Sequence, residues 1–321
     1  MSDHHIRKIW QNYSNKMNNS KHTRIYALMV LAAVCWAGAF IAGKFAVPYI
    51  PTCSLTFGRF FVASIVLHFV KKYMDDKHPE DAYRFQKEDL SKFLFTGIVG
   101  MVGYHVFFFL ALDFTTAINS SIIGATNPIV TTVLAIIFLK QKVPAKQLAG
   151  IALSLTGVVL TITACDLSVL TSFSFNKGDL LMCAAVVFWA AYGVYSKSKC
   201  SHVTPIAITY YSFLVCAMTM VPFVIWENPL SWIGETPTSA YIAILFMAVF
   251  SSCFAYLVQQ MAIKEIGPAR TSVFINLVPV FSSLLAVAVL GETLQPIKIF
   301  TALLIIIGVC ICQLAGTRGE K

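Results

Sequence analysis

Long apolar runs alternate with mostly short polar connections along nearly the whole chain, and the runs are the length that a membrane crossing demands. A hydrocarbon core of roughly 30 Å takes about 20 residues of helix. Runs of this kind lie near 26–46, 54–71, 92–112, 116–139, 145–164, 179–197, 204–226, 240–262, 269–290 and 297–315. The last two are separated by the turn-forming Gly291-Glu292-Thr293. The pattern predicts an all-α integral membrane protein with ten transmembrane helices. The chain then divides into an N-terminal tail (1–25), a first group of five helices (26–164), a connector (165–178), a second group of five (179–315) and a short C-terminal tail (316–321).

Composition agrees with the pattern. Of 321 residues 57% are hydrophobic and 12% charged, with mean hydropathy +0.73, more apolar surface than one water-soluble core hides. The first 24 residues are polar and carry Arg7, Lys8, Lys16, Lys21 and Arg24 without a small-residue cleavage site, so the first span is expected to be retained and the tail to be a solvated, partly disordered arm.

Charge gives the orientation. Lys and Arg number five in the N-terminal tail, then six, three, two and two in alternate connections and two at the C-terminus. The opposite connections hold only Lys177 and Lys298, while Lys44 and Arg59 lie within spans. By the positive-inside rule both termini are cytoplasmic and the cytoplasmic membrane is the expected location. The net charge of +9 follows from this bias and from attraction to anionic headgroups, so the lipid bilayer is the expected partner and nucleic acid is not. The nine cysteines show no CxxC pair or Cys/His spacing for a metal. No metal or cofactor is expected.

A repeat sits inside the chain. Shifted by 151, residues 111–160 fall on 262–311 without a gap, pairing Pro128 with Pro279, Leu134-Ala135 with Leu285-Ala286 and Gly157-Val158 with Gly308-Val309. Trp36 and Trp189 each stand eight residues before a lysine, Lys44 and Lys197. An odd number of spans per copy makes the second copy enter from the opposite face, giving two inverted five-helix repeats. That architecture serves alternating access, with a substrate site near the midplane.

The stretch Cys35-Trp36-Ala37-Gly38-Ala39-Phe40, Arg59, Asn127-Pro128, Val278-Pro279, and Leu290-Gly291-Glu292-Thr293-Leu294 followed by Gly308-Val309 resemble the EamA family of the drug/metabolite transporter superfamily, over about residues 26–315. The resemblance implies a ten-helix basket with helices 1–4 and 6–9 around a central cavity and helices 5 and 10 peripheral. It also implies movement of small polar metabolites, often amino acids and commonly outward. Leu139-Lys140-Gln141 departs from the Leu-Gly-Glu pattern that the family often repeats in its first half.

Several residues are candidates for the substrate path. Pro128 and Pro279, mid-span, each remove a backbone donor and free a carbonyl, which serves a hinge or a ligand. Asn127 and Asn276 offer one amide per half at central depth, for a helix bridge or a polar ligand. Trp36 and Trp189 lie deeper than the interfacial belts and either wall a cavity or pack. Arg59, the charged residue well inside a span, enters from the exterior side about eight residues or roughly 10 Å deep, where intramembrane charges usually face a bundle interior or a watery path. His105, with Tyr104 beside it, lies at similar depth and either tunes the Arg59 site, carries a proton or packs neutral. Glycines 97, 100 and 103 in span three, and Gly150, Ser154 and Gly157 in span five, suit close helix contact. The connection 71–91 reads as a solvated loop and 227–239 as a simple connector.

The leading expectation is a secondary transporter of a small polar metabolite, an amino acid or related organic anion, with export favoured over import. A nontransporting scaffold or sensor is the alternative, and a homodimer is admitted. An intramembrane enzyme ranks last, because the spans hold no paired deep acids and no HExxH or GxSxG motif.

Overall fold

The computed structural model describes the backbone of residues 3–114, 123–163, 166, 168, 176–290 and 296–316, and most side chains of these from His22 onward. The connector around Cys165 and the Gly291-Glu292-Thr293 turn lie outside the described residues.

Every described element is helical. In chain order they are α1 (Asp3–Ala46), α2 (Thr52–Lys77), α3 (Leu90–Leu94, a π-helical stretch Phe95–Gly103, then Tyr104–Phe114), α4 (Asn127–Leu139), α5 (Ala145–Ile162) and α6 (Lys177–Lys199). They continue as α7 (Pro205–Trp226), α8 (Thr238–Phe246, a π-helical stretch Met247–Phe254, then Ala255–Ile266), α9 (Pro268–Ser272, a 3₁₀ stretch Val273–Leu277, then Val278–Leu290) and α10 (Pro296–Gly316). Among the described residues six helices are long and apolar enough to cross a membrane, with shorter apolar helices at Asn127–Leu139, Ala145–Thr161 and Ile299–Ala315.

Local chemistry sets the ends. α6 opens with a capping box in which Asn176 Oδ1 accepts from Asp179 N (3.0 Å) and Asp179 Oδ2 accepts from Asn176 N (2.9 Å). α7 opens on Thr204 and Pro205, with the proline in the first turn where no intrahelical N–H is needed. Gly267, at φ 80°, is the single residue between α8 and α9, a conformation that a Cβ disfavours. α1 runs back to Asp3, where a partly disordered arm is expected. The segment 3–24 contains neither Gly nor Pro to stop a helix propagating from the apolar part.

Pro128 stands at the start of its described helix and not in the middle, while Pro279 stands near the middle of α9, at a change of helix type. Pro128 is the second residue of α4, after a turn at residues 125 and 126, and Pro279 is the second residue of Val278–Leu290, after the 3₁₀ stretch. Each marks a break in the α-helix at the same place in its half.

Helices from the two halves interleave. α1 packs on α8 and α9, and α6 packs on α3 and α4. α2 meets α7 and α8, while α7 meets α2 and α3, and α4 meets α9. α5 and α10 lie against each other through small residues: a Cβ at Gly150 would come within 2.5 Å of Cys312 N, and one at Gly308 within 2.5 Å of Ser154 N. The outward faces stay apolar, with Ile137, Phe138, Phe69 and Leu303 more than half exposed. Such a surface is what a bilayer covers.

Candidate functional site

The two π stretches organise the centre. A π turn shifts the ladder from i−4 to i−5 and loosens it, which often marks a functional position. In α8 three consecutive residues of this stretch grip the first half. Ser251 O accepts from Trp36 Nε1 (3.2 Å) while Ser251 Oγ donates to Cys35 O (2.7 Å). Ser252 Oγ accepts from Arg59 Nε (2.6 Å), and Cys253 Sγ donates to Ala63 O (3.3 Å). In α3 the corresponding stretch meets the second half by close approach: a Cβ at Gly100 would lie 2.5 Å from the Tyr192 ring, and Thr96 Oγ1 accepts from Ser212 Oγ (2.7 Å).

Between these grips lies a continuous group of aromatic rings. Tyr256 meets Trp36 (6.1 Å between centroids), Trp189 (5.4 Å), Phe213 (5.3 Å) and Phe60 (6.3 Å). Tyr104 lies 4.8 Å from Trp189, and His105 lies 5.0 Å from Phe60. The Arg59 guanidinium sits over the Phe60 ring, 5.4 Å from its centroid, and forms no ion pair with a carboxylate among the described residues. His105 Nδ1 is 2.7 Å from Met101 O, so this nitrogen carries the proton and donates.

Trp36, Arg59, Tyr104, His105 and Trp189 are thus brought to one place. Asn127 and Asn276 are not. Asn127 accepts from Thr131 one turn along its own helix (3.2 Å), and Asn276 Nδ2 donates to Ser154 of α5 (2.9 Å), tying α9 to a peripheral helix. Where a central hollow is expected, rings occupy the space: Phe60 and Phe213 are fully buried and 4.8 Å apart.

Phe60, Phe213, Ser252 and Tyr256 escape a reading that looks for charge and tryptophan. The repeat carries the signal for three of them. Phe60 and Phe213 are 153 residues apart, as are Trp36 and Trp189, and Tyr256 lies 151 after His105. Arg59 has Ser212 at the same offset, so the cation belongs to one half only.

Charged groups nearer the ends also differ from expectation. Arg270, at the start of α9, is 3% exposed; it donates to the Tyr26 hydroxyl of α1 and to Gln313 Oε1 of α10 (3.4 Å), and it is more deeply buried than the half-buried Arg59. Asp89, in the connection read as solvated, is buried and accepts from Tyr83, Lys92 and His202 Nε2 (3.0 Å), joining this connection to the α6–α7 turn. Burial, and then the Asp89 carboxylate beside it, push the Tyr83 hydroxyl well above its usual range, so it remains a donor. Glu227, in the segment read as a connector, receives Cys53 N (2.8 Å), Ser54 N (2.7 Å) and Ser54 Oγ (2.6 Å), capping α2 from the end of α7.

The sequence profile of the EamA-like transporter family matches residues 23–163 and again 176–313. The uncharacterised transporter YyaM of Bacillus subtilis is 30% identical over 293 residues, covering 90% of this chain and 93% of that one. A probable terminal-alkyne amino-acid exporter of Streptantibioticus cattleyicolor is 22% identical, covering 91% and 95%. A solved crystal structure superposes with a TM-score of 0.76 at 18% identity, covering 91% of this chain and 98% of the other, which shows a shared fold. Two matches to one family profile, spanning nearly the whole of an apolar helical chain, identify a multi-pass membrane protein that belongs to the EamA-like transporter family.

Proposed function

We propose that this chain is a secondary transporter that carries a small organic anion or amino acid across the cytoplasmic membrane by alternating access, in the direction of export. Its ten spans form two inverted five-helix repeats, with both termini cytoplasmic. The observation that carries the reading is Arg59: a guanidinium among aromatic rings, at the contact between the two halves, held by Ser252 through Nε and facing no carboxylate among the described residues. A cation in such a place is costly unless an anion meets it. A substrate carboxylate supplies that anion, and Trp36, Trp189, Tyr104 and Tyr256 supply apolar walls with polar edges.

The helix pairing supports the repeat. Exchanging α1 with α6, α2 with α7, α3 with α8, α4 with α9 and α5 with α10 carries the principal contacts into one another. The π stretches occupy matching places, as do the breaks before Pro128 and Pro279. Lysine and arginine placement supports the orientation. The relative named as a probable amino-acid exporter supports both substrate class and direction.

In the cycle, the packed rings are an occluded arrangement, and a rocking of the halves opens a path to Arg59 on one side at a time. The test is flux. Purified protein in vesicles, screened with labelled amino acids and related organic anions with and without a pH gradient, should move at least one of them. No flux with any member of the panel, in either direction, overturns the reading.

A further inference from the structure

One end of the molecule carries a cleft that the central site does not use. About 240 Å3 in volume, it lies between α6, α7 and α8, and the charged residues that line it are Lys197 and Lys264. Lys197 Nζ donates to Lys264 O, which fixes one ammonium across the mouth. The polar residues at its inner end are Ser196 and Gln260, both 4% exposed and joined at 3.5 Å. One turn deeper along α6 stands Tyr192, with 0% exposure and its hydroxyl beside Gln260.

The same seam leads to the centre. On α8 the residues Lys264, Gln260, Tyr256 and Ser252 follow at intervals of four, which keeps them near one face of the helix. Opposite them on α6 stand Lys197, Ser196, Tyr192 and Trp189. Tyr192 is 5.8 Å from Trp189, Trp189 is 5.4 Å from Tyr256, and Ser252 holds Arg59. Positive charge at the mouth, amide and hydroxyl in the throat and positive charge at the end form an ordered set of contacts for one kind of solute, a small anion.

We infer that the α6–α8 cleft is the loading site at which an anionic substrate, carboxylate-bearing by chemistry, docks from the cytoplasm before it passes Ser196 and Gln260 to Arg59. The inference rests on the transporter reading above and deepens it. Lys197 and Lys264 draw the anion in, Gln260 and Ser196 part to admit it, and the Tyr192 hydroxyl is the next group that it meets.

The full-length protein carrying Ser201→Cys, a residue that lines the cleft, tests this with two thiol reagents of opposite charge. These are sulfonatoethyl and trimethylammonioethyl methanethiosulfonate, each rate being normalised to that with free 2-mercaptoethanol and the adduct localised by mass spectrometry. At low salt the anionic reagent should be faster by about threefold or more, since fixed cations concentrate anions locally. Lys197→Gln with Lys264→Gln should bring the ratio to near one, as should molar salt, which shortens screening to about 3 Å. Equal rates in the parent, or a faster cationic reagent, overturn the loading site.

A second measurement separates this inference from the central one. With the amino acid or anion that gives flux as probe, Gln260→Leu should raise KM for transport from the cytoplasmic side by about tenfold, or 1.4 kcal/mol, with kcat within about twofold. An unchanged KM in Gln260→Leu, with flux still lost in Arg59→Ala, defeats the loading site and leaves the central site standing. Absence of flux in the parent, with the reagent ratio still high, defeats the transporter reading instead.

Discussion

Arg59 is held by a single side-chain hydrogen bond and one ring, which is little for a charge at this depth. Its five donors form a planar fork suited to a carboxylate, and lysine has no such fork. Arg59→Ala should therefore abolish flux while the protein still inserts, and Arg59→Lys should leave a reduced rate with KM raised by about tenfold or more. Unaltered flux across the panel in Arg59→Ala removes the residue from the pathway. Arg59 stands out in the sequence because a charge in an apolar run is conspicuous. Ser252 is invisible there, since nothing in one strand of text says that residue 252 will lie 2.6 Å from residue 59.

Three features belong to whole helices. The α5–α10 contact depends on backbone approach, so Gly308→Leu sets a side chain against Ser154 N and should cost about 1–3 kcal/mol, read as a lower unfolding temperature in detergent. Pro279 follows a 3₁₀ stretch, where the α-helical ladder of α9 is broken. Pro279→Ala should slow the transport cycle more than it weakens substrate binding, and equal kinetics would refute a hinge. Glu227 closes the N-terminus of α2 from the second half. Glu227→Ala removes a helix cap, costing about 0.5–2 kcal/mol, and should speed alkylation of Cys53 by a membrane-impermeant maleimide added outside; an unchanged rate means that the clasp does not gate the exterior end. Six long apolar helices were legible from the apolar runs, whereas the start of α1 at Asp3 and the π and 3₁₀ stretches were not, the latter because they arise where a helix must meet its neighbours and not from local propensity.

At the scale of the molecule, the chain is built so that each half completes the other. Phe60 meets Phe213, α4 meets α9 and α5 meets α10. The prediction is topological. Reporters fused after residue 321 and before residue 1 should both be cytoplasmic, while cysteines placed in the connectors after α1 and after α6 should label from opposite faces. Matching faces would dismantle the inverted arrangement and the alternating-access reading with it.

Apolar run length, the bias of Lys and Arg, and the registered repeat are properties of the chain read in order, because bilayer thickness and the insertion of charge act on segments one at a time. They were sufficient for an all-helical membrane protein, and with the quoted motifs for its family. Tertiary structure decided which of the candidate residues meet. It gathered Trp36, Arg59, Tyr104, His105 and Trp189 around Tyr256, turned Asn276 away to Ser154, and buried Arg270 and Asp89 at helix ends. Those outcomes depend on how helices far apart in sequence rotate to pack small residues and pair polar ones, and that rotation is fixed only when all of the helices are in place.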